Sequence, residues 1–224
     1  MRISSLLVSA MALLFLSAAT NLTYAKGTDT RKDIRAVTSD PLIRGAIVYR
    51  SYCSLCHGQK GDGKARATKL YGEGTLVIKM DKNEPEYYEK LVRHGGSSVG
   101  RSRYMPAWED ELSDEQMSDV LEYLYVLEKP EMRGKAVFLT NCILCHGVKG
   151  NGKGRASVLY DPPPADLTRS DKNDTYKKMI ITMGGAAMGR SGVMPVWGLQ
   201  LKEEEIDDVI AYLRTILVVP LPEQ

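Results

Sequence analysis

The sequence predicts an all-α protein built from two tandem copies of one small domain. Three observations carry that expectation: an internal repeat at a fixed offset of 89 residues, apolar positions spaced by three and four in each copy, and no convincing alternation that would mark a strand. The repeat pairs Cys53 with Cys142, His57 with His146, Gly63 with Gly152, Arg66 with Arg155, Tyr71 with Tyr160, Arg101 with Arg190, Met105 with Met194, Trp108 with Trp197 and Tyr123 with Tyr212. Register slips once, where Asp81-Lys82-Asn83 matches Asp171-Lys172-Asn173 one position later, and recovers at Gly95-Gly96 and Gly184-Gly185. One copy therefore inserts a residue in one loop and drops it in another.

Taken in order, the chain starts with Arg2 ahead of an apolar run, Leu6 to Ala19, and Thr23-Tyr24-Ala25 offers small residues before a cut. This predicts an export signal over residues 1–25. The run is shorter than the roughly 20 apolar residues that cross a bilayer, so no stable membrane span is expected in the mature chain. The first copy then occupies residues 26–129 and the second 130–224. Asp40-Pro41 opens a helix carrying Leu42, Ile43, Ala46, Ile47 and Tyr49 and running into Cys53, with proline accepted in its first turn. Glu131 to Thr140, with Val137 and Phe138, does the same in the second copy. Each copy ends in an amphipathic helix: Met117, Val120, Leu121 and Leu124 in one, Ile206, Val209, Ile210 and Leu213 in the other. Ser113 and Gln116 stand at capping-box spacing before the first of these. Only Leu127-Glu128-Lys129-Pro130-Glu131 joins the copies, a tether short enough to predict that they pack as a fixed pair.

The chemistry lies in Cys53-Ser54-Leu55-Cys56-His57 and Cys142-Ile143-Leu144-Cys145-His146, which together use every cysteine. Two thiols at this spacing can each form a thioether with one vinyl group of the same porphyrin, and the following imidazole then sits under the iron, so the pattern predicts two covalently attached haem c groups. A zinc ribbon would place its cysteine pairs roughly 15 to 20 residues apart, and a redox dithiol calls for a βαβ surround, neither of which this sequence offers. Haem also answers a shortage of core: small domains bury little, and beside the tyrosines the only aromatics are Phe15, Trp108, Phe138 and Trp197. Haem attachment and the export signal point to one compartment, the periplasm. A net charge of +2 in 224 residues argues against nucleic acid as a partner.

The order of opening helix, Cys-x-x-Cys-His, long loop, Met-Pro and closing helix resembles the class I cytochrome c domain, and the resemblance covers both copies, residues 40 to 224. It implies that the first and last helices cross, with Gly45 or Gly134 in one admitting an aromatic, Tyr123 or Tyr212, from the other. His57 and His146 are the expected proximal iron ligands. Met105 and Met194, each before proline and each 48 residues after its histidine, are the expected sixth ligands. A thioether there raises the reduction potential and leaves little room for substrate. Met80, Met117, Met179, Met183 and Met188 lack a methionine partner in the other copy and are expected to be core filler. His94, replaced by Met183 in the second copy, is expected at the surface, with ligation of the first haem as the alternative.

Around each methionine, Arg101, Trp108, Arg190 and Trp197 are candidate partners for haem propionates, beside the alternatives of solvated arginines and core tryptophans. The family often orients its haem histidine with a proline carbonyl, which Pro162 to Pro164 could supply, whereas Gly72 to Thr75 stand in the first copy. Basic side chains Lys60, Lys64, Arg66 and Lys69, and Lys149, Lys153 and Arg155, follow the motifs and read as solvated or as docking surfaces. Acidic side chains crowd the starts of the closing helices, where they suit the helix dipole.

The resemblance thus implies a non-enzymatic dihaem carrier of single electrons. Its expected partners are redox proteins: a quinol-oxidising complex and a terminal oxidase, reductase or dehydrogenase. The alternatives are a dedicated cytochrome subunit of a periplasmic dehydrogenase or terminal oxidase, and a dihaem peroxidase-like enzyme.

Overall fold

The computed structural model describes residues 37–71 and 76–218. The export signal over 1–25 and the segment Gly72 to Thr75 lie outside the described residues. In the first copy α1 (Pro41–Val48) is followed by a widened π turn (Tyr49–Cys53), α2 (Ser54–His57), α3 (Thr68–Tyr71), α4 (Pro85–His94) and α5 (Asp114–Leu124). The second copy has α6 (Pro130–Asn141), α7 (Ile143–His146), α8 (Asp174–Ala187, kinked at Gly184) and α9 (Glu203–Thr215). Among the described residues there is no strand beyond an isolated bridge between Asp62 and Val77.

Local chemistry explains the helix starts. Asp40 accepts the Leu42 amide at 3.0 Å ahead of Pro41. Ser113 and Gln116 close the expected capping box, at 3.2 and 2.9 Å. The second opening helix begins at Pro130, one residue earlier than the sequence suggested, with the proline in its first turn, where no amide is needed. The first opening helix does not run unbroken into Cys53, because its last turn widens over Tyr49–Cys53.

Opening and closing helices cross in each copy, α1 on α5 and α6 on α9. The glycines sit at the crossings, where backbone comes nearest, and at Gly45 the Tyr123 side chain enters the gap as expected, whereas at Gly134 only backbone does. A Cβ on Gly45 would run into the carbonyl of Asp119, and one on Gly134 into that of Asp208. Aromatic pairs line the same crossings, Tyr49 with Tyr123 at 5.7 Å and Phe138 with Tyr212 at 5.3 Å between ring centres.

A second device recurs at the same offset. Arg44 donates to both carboxylate oxygens of Asp119, at 2.6 and 2.9 Å, and Arg133 to both of Asp208, at 2.7 and 2.6 Å. Each fork ties the opening helix to the closing helix whose carbonyl enters the glycine gap. Arg133 and Asp208 are buried, while Arg44 is partly exposed. Removing one partner of a buried pair typically costs about 3–5 kcal/mol, because the other charge is left unpaired.

The apolar cores of the two copies run together into one cluster. The opening helices touch, and ion pairs cross the seam from Asp40 to Lys135 at 3.0 Å and from Arg50 to Glu205 at 3.2 Å. Arg133 also reaches back to the carbonyl of Leu127, whose side chain is buried and abuts Gly61 in the first copy. The copies pack as the pair that the short tether suggested.

Two outcomes check these contacts. Gly45→Ala and Gly134→Ala each force a methyl group against backbone, so each should lower stability by about 1–3 kcal/mol in thermal denaturation of the haem-loaded protein. Burial pushes the Tyr49 phenol well above its ordinary value. An acid so raised stabilises the fold below the unfolded value of about 10 and withdraws that support as pH climbs toward the folded value. Tyr49→Phe, which loses a 2.5 Å bond to the Gly58 carbonyl, should therefore cost about 1 kcal/mol at neutral pH yet lessen unfolding above pH ~10, followed by circular dichroism.

Candidate haem-binding sites

Each Cys-x-x-Cys-His begins where the opening helix ends. The first cysteine caps the short helix that carries the histidine, and both lie in a turn held by the Cys142-to-Phe138 type of backbone bond or its π equivalent. Cys53 and Cys142 pack against the core, and burial pushes both thiols up to about 12. A redox dithiol needs the opposite shift. Among the described residues no three His, Cys, Asp or Glu side chains gather within reach of one metal ion.

The imidazoles are held alike in the two copies. His57 Nδ1 lies 2.7 Å from the Leu76 carbonyl and His146 Nδ1 3.1 Å from that of Ala165. A carbonyl only accepts, so Nδ1 carries the proton and Nε2 keeps its lone pair, the form a metal binds. Burial depresses both imidazoles below the ordinary histidine value, against a smaller opposing effect of those hydrogen bonds. The orienting carbonyls stand at the 89-residue offset, and neither belongs to a proline. The second follows Pro164 directly, and the first copy achieves the same bond without prolines at the matching place.

The methionine loops fold back on the glycine pairs. Gly96 N–H donates to the Met105 carbonyl at 3.0 Å and Gly185 N–H to that of Met194 at 3.2 Å. A Cβ on Gly96 or Gly185 would collide with the carbonyl of Ser102 or Ser191 and press on the methionine Cβ at 3.1 Å. Gly95 and Gly184 are left-handed, with φ of 77° and 79°, and turn the chain there. Met105, Met194, Trp108 and Trp197 pack against the same buried cluster as Cys53 and Cys142 do.

The other candidates separate. Arg101 and Arg190 are exposed and donate Nε to Tyr87 and Tyr176, at 3.0 and 3.1 Å, again at matching offset. Trp108 rests edge-on against Tyr52, and its buried Nε1 has no hydrogen-bond partner among the described residues. His94 lies at the surface with Nδ1 3.0 Å from Glu109, as its surface reading required. Met117 is fully buried, but Met179 and Met183 are exposed and do not fill the core as the sequence suggested. The Arg–Asp forks were missed, although Arg44 and Arg133, and Asp119 and Asp208, obey the 89-residue offset.

Haem fits this donor set: in each motif a first thiol that burial pushes away from the redox range, a neutral imidazole close by, and in the first half an indole donor awaiting an acceptor. The fold and these paired motifs define a c-type cytochrome with two covalently attached haems. Residues 131–217 match the family described as Cytochrome c, and residues 40–124 match Cytochrome C oxidase, cbb3-type, subunit III. The chain is a tandem dihaem cytochrome c, with one cytochrome c domain in each half. It is similar to the cbb3-type cytochrome c oxidase subunit CcoP of Cereibacter sphaeroides, 26% identical over 81% of this chain and 65% of that protein. It is similar also to subunit FixP of Azorhizobium caulinodans, 25% identical over 77% of this chain and 58% of that one, and to FixP of Sinorhizobium medicae, 27% over 77% and 59%. This chain thus spans less than two thirds of the length of these relatives. A chain of the Kuenenia stuttgartiensis reducing HAO-like protein complex aligns at 21% identity over 78% of this chain and 96% of its own, with a TM-score of 0.35, too loose a likeness to argue from.

Proposed function

We propose that the chain carries single electrons through two haems, the first ligated by His57 and Met105 and the second by His146 and Met194, as a non-enzymatic cytochrome partnering a terminal oxidase. The observation that carries this reading is the double occurrence of one arrangement: a carbonyl-oriented imidazole on the opening side, and a methionine loop seated on a glycine pair on the other. Cys53 and Cys56 attach the first haem, and Cys142 and Cys145 the second. Haem supplies the reversible ferric–ferrous couple; the chain supplies position and surroundings. The orienting carbonyls fix each imidazole's tautomer and ring plane, which is what outer partners do for a ligand. A methionine in the sixth position would raise the potential and close the iron to substrate, favouring transfer over catalysis.

The names of the relatives favour a terminal oxidase among the possible redox partners. Export of residues 26–224 to the periplasm, after removal of 1–25, agrees with covalent haem attachment. Among the described residues no helix is long and apolar enough to cross a membrane. We put the boundary between the domains, 26–129 and 130–224, after Lys129, a reading that the start of α6 at Pro130 supports.

The oxidised protein should show the weak far-red band of ferric iron bound to thioether sulfur, at an intensity for two sites, and Met105→Ala or Met194→Ala should each remove half. A band insensitive to either substitution overturns the ligand assignment. Trp108 offers a second test. If its lone indole N–H serves a propionate of the first haem, Trp108→Phe keeps the contact with Tyr52 but unscreens that negative charge, so the first haem's potential should fall in a redox titration while the second stays.

A further inference from the structure

Because the domain is duplicated, each half shows what the fold needs at a given surface position. On the outer side of α4 and the turn after the Met105 loop, the first half carries Lys90, His94, Glu109 and Asp110, all exposed. At the matching positions the second half carries Met179, Met183, Gly198 and Leu199. Charges of both signs have gone, and apolar side chains stand in water: Met179 is 43% exposed, Met183 39% and Leu199 84%. Val196, 43% exposed, replaces Ala107.

These residues form one patch. Met179 and Met183 are four apart on α8 and so share a face. A Cβ on Gly184, next to Met183, would touch Val196, and one on Gly198, next to Leu199, would touch Thr182 of α8. The neighbouring cation, Lys178, is drawn off to Glu203 and Asp207 at 2.7 and 2.8 Å. The patch borders the loop that presents Met194.

We propose that this patch is the docking surface for a protein subunit held in a permanent electron-transfer complex, so that the second haem faces the fixed partner and the first, whose matching face keeps its charges, faces solvent and mobile partners. Loss of cations and anions together argues against an acidic mobile protein or an anionic lipid surface, each of which rewards retained lysines. Depletion of charge marks the centre of lasting interfaces, and methionine adapts to an apolar surface of another shape. The inference rests on the reading of the chain as a carrier serving a protein partner.

The test restores the first half's residues in the second: Met179→Lys, Met183→His and Leu199→Asp together, side chains that the same fold already accommodates at those positions. Tagged full-length protein, unaltered or triply substituted, is purified from detergent-solubilised membranes of its source, and the co-purifying oxidase is read by its carbon monoxide-binding haem. The unaltered chain should retain the oxidase through high salt, and the triple variant should lose it by about tenfold or more. Both proteins should keep two haems and the full far-red band, so that a failure of the carrier chemistry shows separately there. Equal retention by the two proteins, or no oxidase with the unaltered chain, overturns the proposal. So does a dimer of the unaltered chain in light scattering that the triple variant abolishes, which would make a second copy the occupant. Binding to phosphatidylcholine vesicles that only the unaltered chain shows would assign the patch to lipid and overturn it equally.

Discussion

Everything in each half hangs on the close approach of two helices where the opening one has no side chain. With hydrogen in place of Cβ at Gly45 and Gly134, the carbonyls of Asp119 and Asp208 sit almost on the opposing backbone. Glycine in a helix costs roughly 1 kcal/mol relative to alanine, and the Arg–Asp fork beside each gap secures the arrangement that this cost permits. The crossing sets where α1 or α6 ends, hence where the cysteines and the histidine of each haem motif begin. A shift of one turn there would move the whole haem motif.

From that fixed crossing the remaining site is built by loops tied back to it. Backbone groups do most of the tying: a carbonyl holds each imidazole, and the glycine pair holds each methionine loop. Backbone bonds tolerate changes of side chain, which explains how Leu76 and Ala165 perform one task, and why the prolines of one half need no counterpart in the other. The fork in the second half is the more deeply buried because it lies at the seam, where Arg133 also grips the carbonyl of Leu127. One side chain therefore joins the helix crossing of one haem domain to the end of the other.

Duplication makes differences between the halves as informative as their likeness. Where both retain a residue, as with Arg101 and Arg190 on their tyrosines, the fold or the haem accounts for it. Where an exposed charge in one half faces an exposed apolar side chain in the other, folding does not account for the change, since both halves fold alike. Met179 and Met183 show how this escapes a reading by residue type. Methionine is common core filler, and α8 is amphipathic, but which arc of that helix meets the core depends on the kink at Gly184 and on the turn packed against it.

By itself the sequence determined the helical class, the duplication and the covalent haem motifs. These are legible because each rests on spacing along one chain: two residues between thiols, three and four between apolar positions, 89 between copies. The capping box at Ser113 and the surface position of His94 could be read for the same local reason. Tertiary structure alone decided what enters the glycine gaps, which carbonyl orients each imidazole, that Arg44 and Arg133 clamp carboxylates 75 residues away, and which methionines face water. Those depend on the angle and depth at which helices pack, and no one-dimensional period encodes that.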